Sequence, residues 1–182
     1  MTVSTRLLAG VSVPDSPLVS RAIEYARENS EPYLFNHVMR SWLFAVTLAQ
    51  LKQAAHDPEV LAVTTLLHDL GLAQAFNGSL RFEVEGANAA RAFARKEGID
   101  DHRAQLIWDG VALNSTPSVA LHKEVEVALC TAGIGLDWGG GVTRRRRRSP
   151  RRSRRALSRS APTRRSARSW TGSPRARTSP AG

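Results

Sequence analysis

Hydrophobic residues recur at three- and four-residue intervals along most of the chain between Asp15 and Gly135. In one clear case, an apolar stripe begins after Pro32 and continues through Val38, Trp42 and Val46. This spacing places the apolar side chains on one face of an α-helix. No stretch alternates apolar and polar residues convincingly enough to predict a strand, so the pattern predicts an all-α fold.

Capping residues divide this region into about six predicted helices. The predicted starts are Asp15 or Ser16 before Pro17, Ser30 before Pro32, Asp57 before Pro58, and Asp100 or Asp101, with further helices in EVEGANAARAFARKEG and HKEVEVALCTAG. Such polar residues cap the free N–H groups of a first turn, and proline fits that turn well. Gly71 is expected to end the third helix in a left-handed conformation, and Gly98 to end the fourth.

The net charge of +10 comes from the C-terminal segment alone. The chain up to Gly141 includes 16 acidic side chains and 11 lysines or arginines, a net charge of −5. The segment from Val142 onward contains 15 arginines, no lysine and no acidic residue. Because this segment has little apolar surface to bury, it is expected to be disordered. The sequence thus predicts a folded domain over residues 13–140 and a disordered basic tail over residues 141–182.

The single cysteine and the lack of a long apolar run narrow the class of protein. Cys130 lies in an apolar segment, is expected to be a small core residue, and has no second cysteine for an internal disulfide. No apolar run approaches the roughly 20 residues that span a bilayer, and the N-terminus is a poor signal peptide. We expect a cytoplasmic protein with no membrane partner.

Two histidines and two aspartates are placed so that they can meet between helices. His37 lies in the second predicted helix, His68 and Asp69 follow at the end of the apolar third helix, and Asp137 comes near the end of the predicted domain. A buried carboxylate needs a partner, which can be a metal ion. Imidazole nitrogens and carboxylate oxygens suit a divalent Zn, Fe, Mn, Ni or Co ion, with zinc the first choice. Taken singly, His37 could be a core histidine and Asp137 a turn cap.

The segments around these residues resemble a known family. Between Val13 and Gly139 the chain contains, in order, PYLFNHVMRSWLFA, LLHDLGL, RFEVEGANAARAF and GIGLDWGG. Together with the histidines and aspartates, these segments resemble the HD superfamily of metal-dependent hydrolases, and within it the cyanamide-hydratase-like branch. The resemblance implies an HD-domain helical bundle in which His37, His68, Asp69 and Asp137 bind the metal.

The resemblance also implies a reaction. Cyanamide hydratases add water across a carbon–nitrogen triple bond to give urea, and a metal ion would lower the pKa of the attacking water. Because such a substrate is tiny, we expect a small apolar pocket, for which Trp42, Phe35, Phe82 and Trp108 are candidate walls. The expected partner is a small-molecule substrate, and the sequence leaves the oligomeric state open.

Three further residues are candidates for catalytic roles. Asn114 lies in VALNSTPS, where this branch has a histidine in ALHTTPS, and an amide cannot exchange protons as imidazole does. Glu83 is a candidate for orienting a ligand or a water, and His122 for lining the site. His56 and His102 are expected to be structural or solvated.

The basic tail departs from the family, whose members continue with helical sequence after the aspartate. In GC-rich DNA, arginine codons shifted by one base read as codons for alanine, glycine, valine or proline. A frameshifted reading of the usual C-terminus is therefore one interpretation of the segment from about Gly140 onward. Resequencing the DNA that encodes this segment tests it.

Other functions stay open at this point. A phosphohydrolase would use the same metal ligands with cations that bind phosphate, for which Arg40, Arg81 and Lys123 are candidates. A native basic tail would bind polyanions such as nucleic acids without sequence specificity and with steep salt dependence. No recognised nucleic-acid-binding module accompanies that tail. A chain that lacks the family's C-terminal helices would hold Asp137 poorly and would be inactive.

Overall fold

The computed structural model describes residues 4–76 and 78–146, and for residues 140–146 it describes the backbone alone. The predicted disorder of the basic tail therefore concerns residues that lie for the most part outside this range. The elements are β1 (Thr5–Leu8), β2 (Val11–Pro14), α1 (Pro17–Glu28), α2 (Pro32–Lys52), α3 (Pro58–Leu67), α4 (Phe82–Lys96), α5 (Asp101–Ala112), α6 (Pro117–Ala120) and α7 (Val125–Arg146), with 3₁₀ turns at Leu70–Leu72 and Gln74–Phe76. None of these helices is long and apolar enough to cross a membrane.

The structure confirms the all-α class and most of the predicted helix starts. Ser16 accepts a hydrogen bond from the backbone N–H of Val19 and caps α1. Asp57 caps α3 and Asp100 caps α5 in the same way, each through its carboxylate. The described residues contain seven α-helices rather than six, because Pro117–Ala120 forms one additional turn.

A β-hairpin at the N-terminus is the element that the hydrophobic pattern missed. Strands β1 and β2 pair antiparallel, with Leu8 opposite Val11. The two residues between them, Ala9 and Gly10, have φ values of 48° and 82°. Two successive positive φ values are typical of the tight turn that matches the twist of paired strands. The signal in the sequence is a single glycine, which is too weak to predict a hairpin alone.

Helix α3 lies at the centre of the fold. Every residue from Val60 to Leu67 is buried, and α3 packs against α1, α2, α4, α5 and α7. Cys130 on α7 is also buried, as expected, and burial raises the pKa of its thiol to about 12. Because α3 is surrounded, the residues that follow it, His68 and Asp69, begin inside the protein rather than at its surface.

Helices α2 and α7 pack at unusually short distance. A Cβ atom added at Gly133 would lie 2.5 Å from the carbonyl oxygen of Ser41, so the contact requires glycine. One turn before Ser41 on α2, His37 faces Asp137, which lies one turn after Gly133 on α7. The predicted domain boundary at residues 140 and 141 lies inside α7, which continues through its glycines to Arg146.

The turn after α3 corrects the predicted role of Gly71. Gly71 lies in a 3₁₀ turn, and it is not among the described glycines with positive φ. An added Cβ would overlap the carbonyl oxygen of Phe82 at the start of α4. Gly71 is therefore needed for close packing on α4 rather than as a left-handed helix cap. Gly98, in contrast, follows the end of α4 as predicted, and its φ is 79°.

Candidate metal centre

His37, His68 and Asp69 bring three ligand atoms together inside the protein. The Nε2 atoms of the two histidines are 3.2 Å apart. Oδ2 of Asp69 lies 3.6 Å from Nε2 of His37 and 3.3 Å from Nε2 of His68. All three residues are buried, and the group could hold a metal ion. We call these three residues the metal triad.

The end of α3 explains how two adjacent residues reach one point. Side chains of successive residues in a continuous helix point about 100° apart. Helix α3 ends at Leu67, His68 is its C-cap, and Asp69 leaves the helix with a φ of −106° and a ψ of 12°. This change of direction at Asp69 turns its carboxylate back towards the imidazole of His68. His37 completes the group from the first half of α2.

The hydrogen bonds of the two imidazoles fix which nitrogen carries the proton. Nδ1 of His68 lies 2.8 Å from the carbonyl oxygen of Thr65, which can only accept, so Nδ1 is the donor. Nδ1 of His37 lies 2.6 Å from Oδ2 of Asp137, and the carboxylate accepts in the same way. Neutral imidazoles arranged like this turn their unprotonated Nε2 atoms towards each other and towards Asp69.

The donor set of the metal triad fits a divalent cation. Two nitrogen lone pairs and a carboxylate oxygen within 3.6 Å of one another repel unless a proton or a metal cation lies between them. Two histidines and one carboxylate form catalytic zinc sites that keep a further position open, and the same set binds iron(II). The chemistry of these residues therefore agrees with the kind of ion expected from the sequence.

Asp137 contacts His37 from the side opposite to the triad. Its carboxylate accepts the hydrogen bond of Nδ1, whereas the triad forms at Nε2. Arg40 donates to both oxygens of Asp137, with Nε 2.7 Å from Oδ1 and Nη2 2.9 Å from Oδ2. The sequence predicts Asp137 as a fourth ligand, which stays a prediction; in the structure its carboxylate contacts Nδ1 of His37, the position from which a carboxylate orients a metal-binding histidine.

The electrostatics of both aspartates favour the carboxylate form. The hydrogen bond from Arg40 is the main reason why the pKa of Asp137 lies below its usual range, and His37 lowers it further. Burial raises the pKa of Asp69, but His68 and His37, whenever their Nε2 atoms carry a proton, outweigh burial and lower it. Asp69 is therefore available as an anionic ligand.

Asn114, one of the candidate catalytic residues, is hydrogen-bonded to a residue of the triad. Its Nδ2 donates a hydrogen bond of 2.9 Å to the backbone oxygen of His68, and the side chain is buried. Asn114 thus holds the backbone of the turn that carries two triad residues. His122 is exposed between α6 and α7, and it does not line either of two cavities that lie beside the triad.

Glu83 lies behind the site in an ion pair. Its carboxylate accepts hydrogen bonds from Arg81, at 2.6 Å, and from the hydroxyl of Ser115, at 2.7 Å. The Arg81 hydrogen bond lowers the pKa of Glu83 to about 2, so Glu83 is ionised and is a poor proton donor at neutral pH. Because Ser115 faces a cavity beside the triad, Glu83 contributes by orienting Ser115.

Two cavities border the metal triad. The first, of about 370 Å³, is bordered by His68 and Asp69, and its other walls are Leu72, Phe82, Asn114, Ser115, Pro117, Thr131, Ile134, Gly135 and Trp138. Since most of these walls are apolar, we call it the apolar cavity. The second, of about 490 Å³, is bordered by Tyr33, Leu34, Asn36, His37, Arg40, Asp69, Leu72 and Trp138.

One of the four aromatic residues expected to line a pocket does so. Phe82 lines the apolar cavity. Trp42 is completely buried in the core, Phe35 packs against the core, and Trp108 donates a hydrogen bond to Asn88 at the surface. Three walls that sequence reasoning missed, Ile134, Gly135 and Trp138, lie on α7, because GIGLDWGG suggests a turn and not a helix whose faces can be assigned.

Comparison of the chain with known protein families gives no match, and comparison with curated proteins gives none either. The case for a function therefore depends on the metal triad, its hydrogen bonds and the cavities beside it.

Proposed function

We propose that this protein is a metal-dependent enzyme of the HD type that adds water to a small substrate with a carbon–nitrogen triple bond, as cyanamide hydratases do. The metal ligands are His37, His68 and Asp69, and the ion is divalent, with zinc the first choice and iron, manganese, nickel or cobalt as alternatives. Addition of one water molecule across the triple bond of cyanamide gives urea and needs no other reactant.

The observation that carries this proposal is the direction of the imidazole hydrogens. Both Nδ1–H groups are bound by acceptors outside the triad, so both Nε2 lone pairs face each other and the Asp69 carboxylate across 3.2–3.6 Å. A divalent ion bound there would act as a Lewis acid and would activate water for addition. Hydrogen bonds that fix the tautomer of a histidine ligand are characteristic of metal sites.

Other residues of the chain hold the substrate side of the site in place. Asn114 fixes the backbone of His68, and Glu83 fixes the hydroxyl of Ser115 in the cavity wall. Phe82 and Ile134 make the cavity beside Asp69 apolar. An apolar wall suits an uncharged substrate, since a charged one would lose its hydration without a partner.

The pairing of the cations supports a neutral substrate over a phosphoester. Arg40, Arg81 and Lys123 are the candidates for binding phosphate. Arg40 is paired with Asp137, Arg81 with Glu83, and Lys123 with Asp109 and Glu124. A phosphohydrolase would have to break one of these pairs to bind its substrate, so it remains the second candidate.

Two measurements on the purified chain test the proposal. Elemental analysis should find about one divalent ion per chain, and the loaded protein should release urea from cyanamide but no phosphate from a panel of phosphoesters. The His68→Gln variant should lose both the ion and the activity. The matched control is His102→Gln, because His102 is exposed on α5. A wild-type protein that holds no ion after metal loading contradicts the proposal.

A further inference from the structure

The apolar cavity is much larger than cyanamide requires. Its volume of about 370 Å³ is roughly twelve times the volume of a water molecule in the liquid. Cyanamide is only a few atoms larger than water and would leave most of this space to solvent. Cavities of this size fall within the range that is typical of sites for larger organic ligands.

The walls of the apolar cavity favour a hydrocarbon group. Leu72, Phe82, Pro117, Ile134 and Trp138 line it, while the triad residues His68 and Asp69 border it on one side. A bound molecule could therefore place a polar end at the triad and an apolar body against these side chains. Burial of each methylene group then adds to binding.

We propose that the substrate is a nitrile with an aliphatic or aromatic body, rather than cyanamide itself. This inference rests on the proposed function for the reaction and on the apolar cavity for the size of the substrate. The nitrile carbon gains the oxygen of one water molecule and the nitrogen gains both hydrogens, which gives the primary amide. The body of the substrate packs between Phe82 on α4 and Ile134 on α7.

Gly135 offers a way to fill the cavity without disturbing the triad. It lines the cavity from α7, and a Cβ added there meets nothing within 4 Å. Gly135→Leu should therefore occupy space that the body of the substrate needs. Gly135→Ala is the control for helix propensity: like Gly135→Leu it replaces a helical glycine, but it adds little volume. Gly139→Leu places the same side chain one turn further along α7, where an added Cβ also meets nothing and the residue does not line this cavity.

The test is a series of linear nitriles from acetonitrile to hexanenitrile, with cyanamide beside them. Binding is measured by calorimetry and amide release by chromatography. For the wild type we expect affinity to rise about three- to fourfold for each added methylene until the cavity is full. Gly135→Leu should reduce the preference for hexanenitrile over cyanamide at least tenfold, whereas Gly135→Ala should change it less than threefold and Gly139→Leu should leave it unchanged. The ion content of all variants should be equal.

The outcomes separate the two proposals. Release of urea from cyanamide, with no gain in affinity along the nitrile series, overturns the inference and leaves the proposed function intact. An unaltered preference in Gly135→Leu also overturns it. Loaded protein that hydrates none of the probes contradicts the proposed function, and the binding series then still decides whether the cavity selects an apolar body.

Discussion

The contact between Asp137 and His37 leads to a prediction that separates two roles for this aspartate. If Asp137 orients His37, Asp137→Asn should weaken metal binding without abolishing it. If Asp137 is a ligand, as the sequence suggests, the same change should remove binding as thoroughly as the loss of a triad residue. The asparagine has almost the same shape, so the variant tests charge and hydrogen bonding rather than volume.

The size of the effect follows from the charge that the acceptor of this hydrogen bond loses, since the amide oxygen of asparagine can still accept from Nδ1. A hydrogen bond to a charged acceptor contributes about 1.5–3 kcal/mol, and the Nδ1 to Oδ2 distance of 2.6 Å is short. At about 1.4 kcal/mol for each factor of ten, complete loss of this hydrogen bond corresponds to a roughly 10- to 150-fold loss of affinity, and a bond kept to the neutral amide oxygen brings the expected loss towards the lower end of that range. Losses of about 10- to 100-fold are usual when the orienting partner of a metal-bound histidine is removed. The two magnitudes agree.

The assay is a competition titration of zinc between the protein and a chelator of known affinity. Asp69→Asn provides the reference for the loss of a triad carboxylate. Arg40→Gln is the control for the other contacts of Asp137. It removes the hydrogen bonds from Arg40 to Asp137 and leaves the contact between Asp137 and His37 in place. We expect Arg40→Gln to lower affinity less than tenfold. An Asp137→Asn protein as deficient as Asp69→Asn would refute the orienting role, and so would wild-type affinity.

Three further predictions concern stability. Because the pKa of Glu83 is lowered from 4.5 to about 2, its ionised form stabilises the fold above pH 4.5 and this stabilisation is lost as the pH falls towards 2. Glu83→Gln should thus lower the melting temperature at pH 7, with a difference from the wild type that shrinks in acid; a pH-independent difference would contradict this. Gly71→Ala should destabilise by more than about 2 kcal/mol in urea unfolding because its Cβ overlaps α4, whereas Gly135→Ala should stabilise by about 0.5–1 kcal/mol. Asn114→Ala should cost about 1–3 kcal/mol by leaving the buried oxygen of His68 unpaired, and an unchanged midpoint of unfolding would show that water replaces the amide.

The sequence predicted the helices well where local chemistry decides the outcome. Ser16, Asp57 and Asp100 cap helices through hydrogen bonds to backbone groups two or three residues away, so the nearby sequence contains the whole signal. The hairpin turn at Ala9 and Gly10 has only a weak signal of this kind. Its position also depends on a hydrogen bond of 2.8 Å from Gln50 to Ser12, which no local pattern can reveal.

The site was predictable in its residue types and less so in its geometry. The positions of His37, His68 and Asp69 on apolar helices indicate that they are buried and near one another. The nitrogen of His37 that faces Asp137 depends on how α2 and α7 are rotated, which the close contact at Gly133 fixes. Glycine in a sequence suggests a turn as readily as a close contact between helices, so both this rotation and the length of α7 escaped prediction.

The close packing of Gly71 against the start of α4 holds the turn that carries Asp69 next to Phe82, a wall of the apolar cavity. Ile134 and Gly135 belong to the other side of the cavity, on a helix that contributes no atom to the triad. If the proposed function is right, substitutions on this face of α7 should change substrate preference with the three ligand residues left in place. Substitutions at the start of α4, by comparison, would also disturb the turn that carries Asp69, because Gly71 packs against the backbone of Phe82.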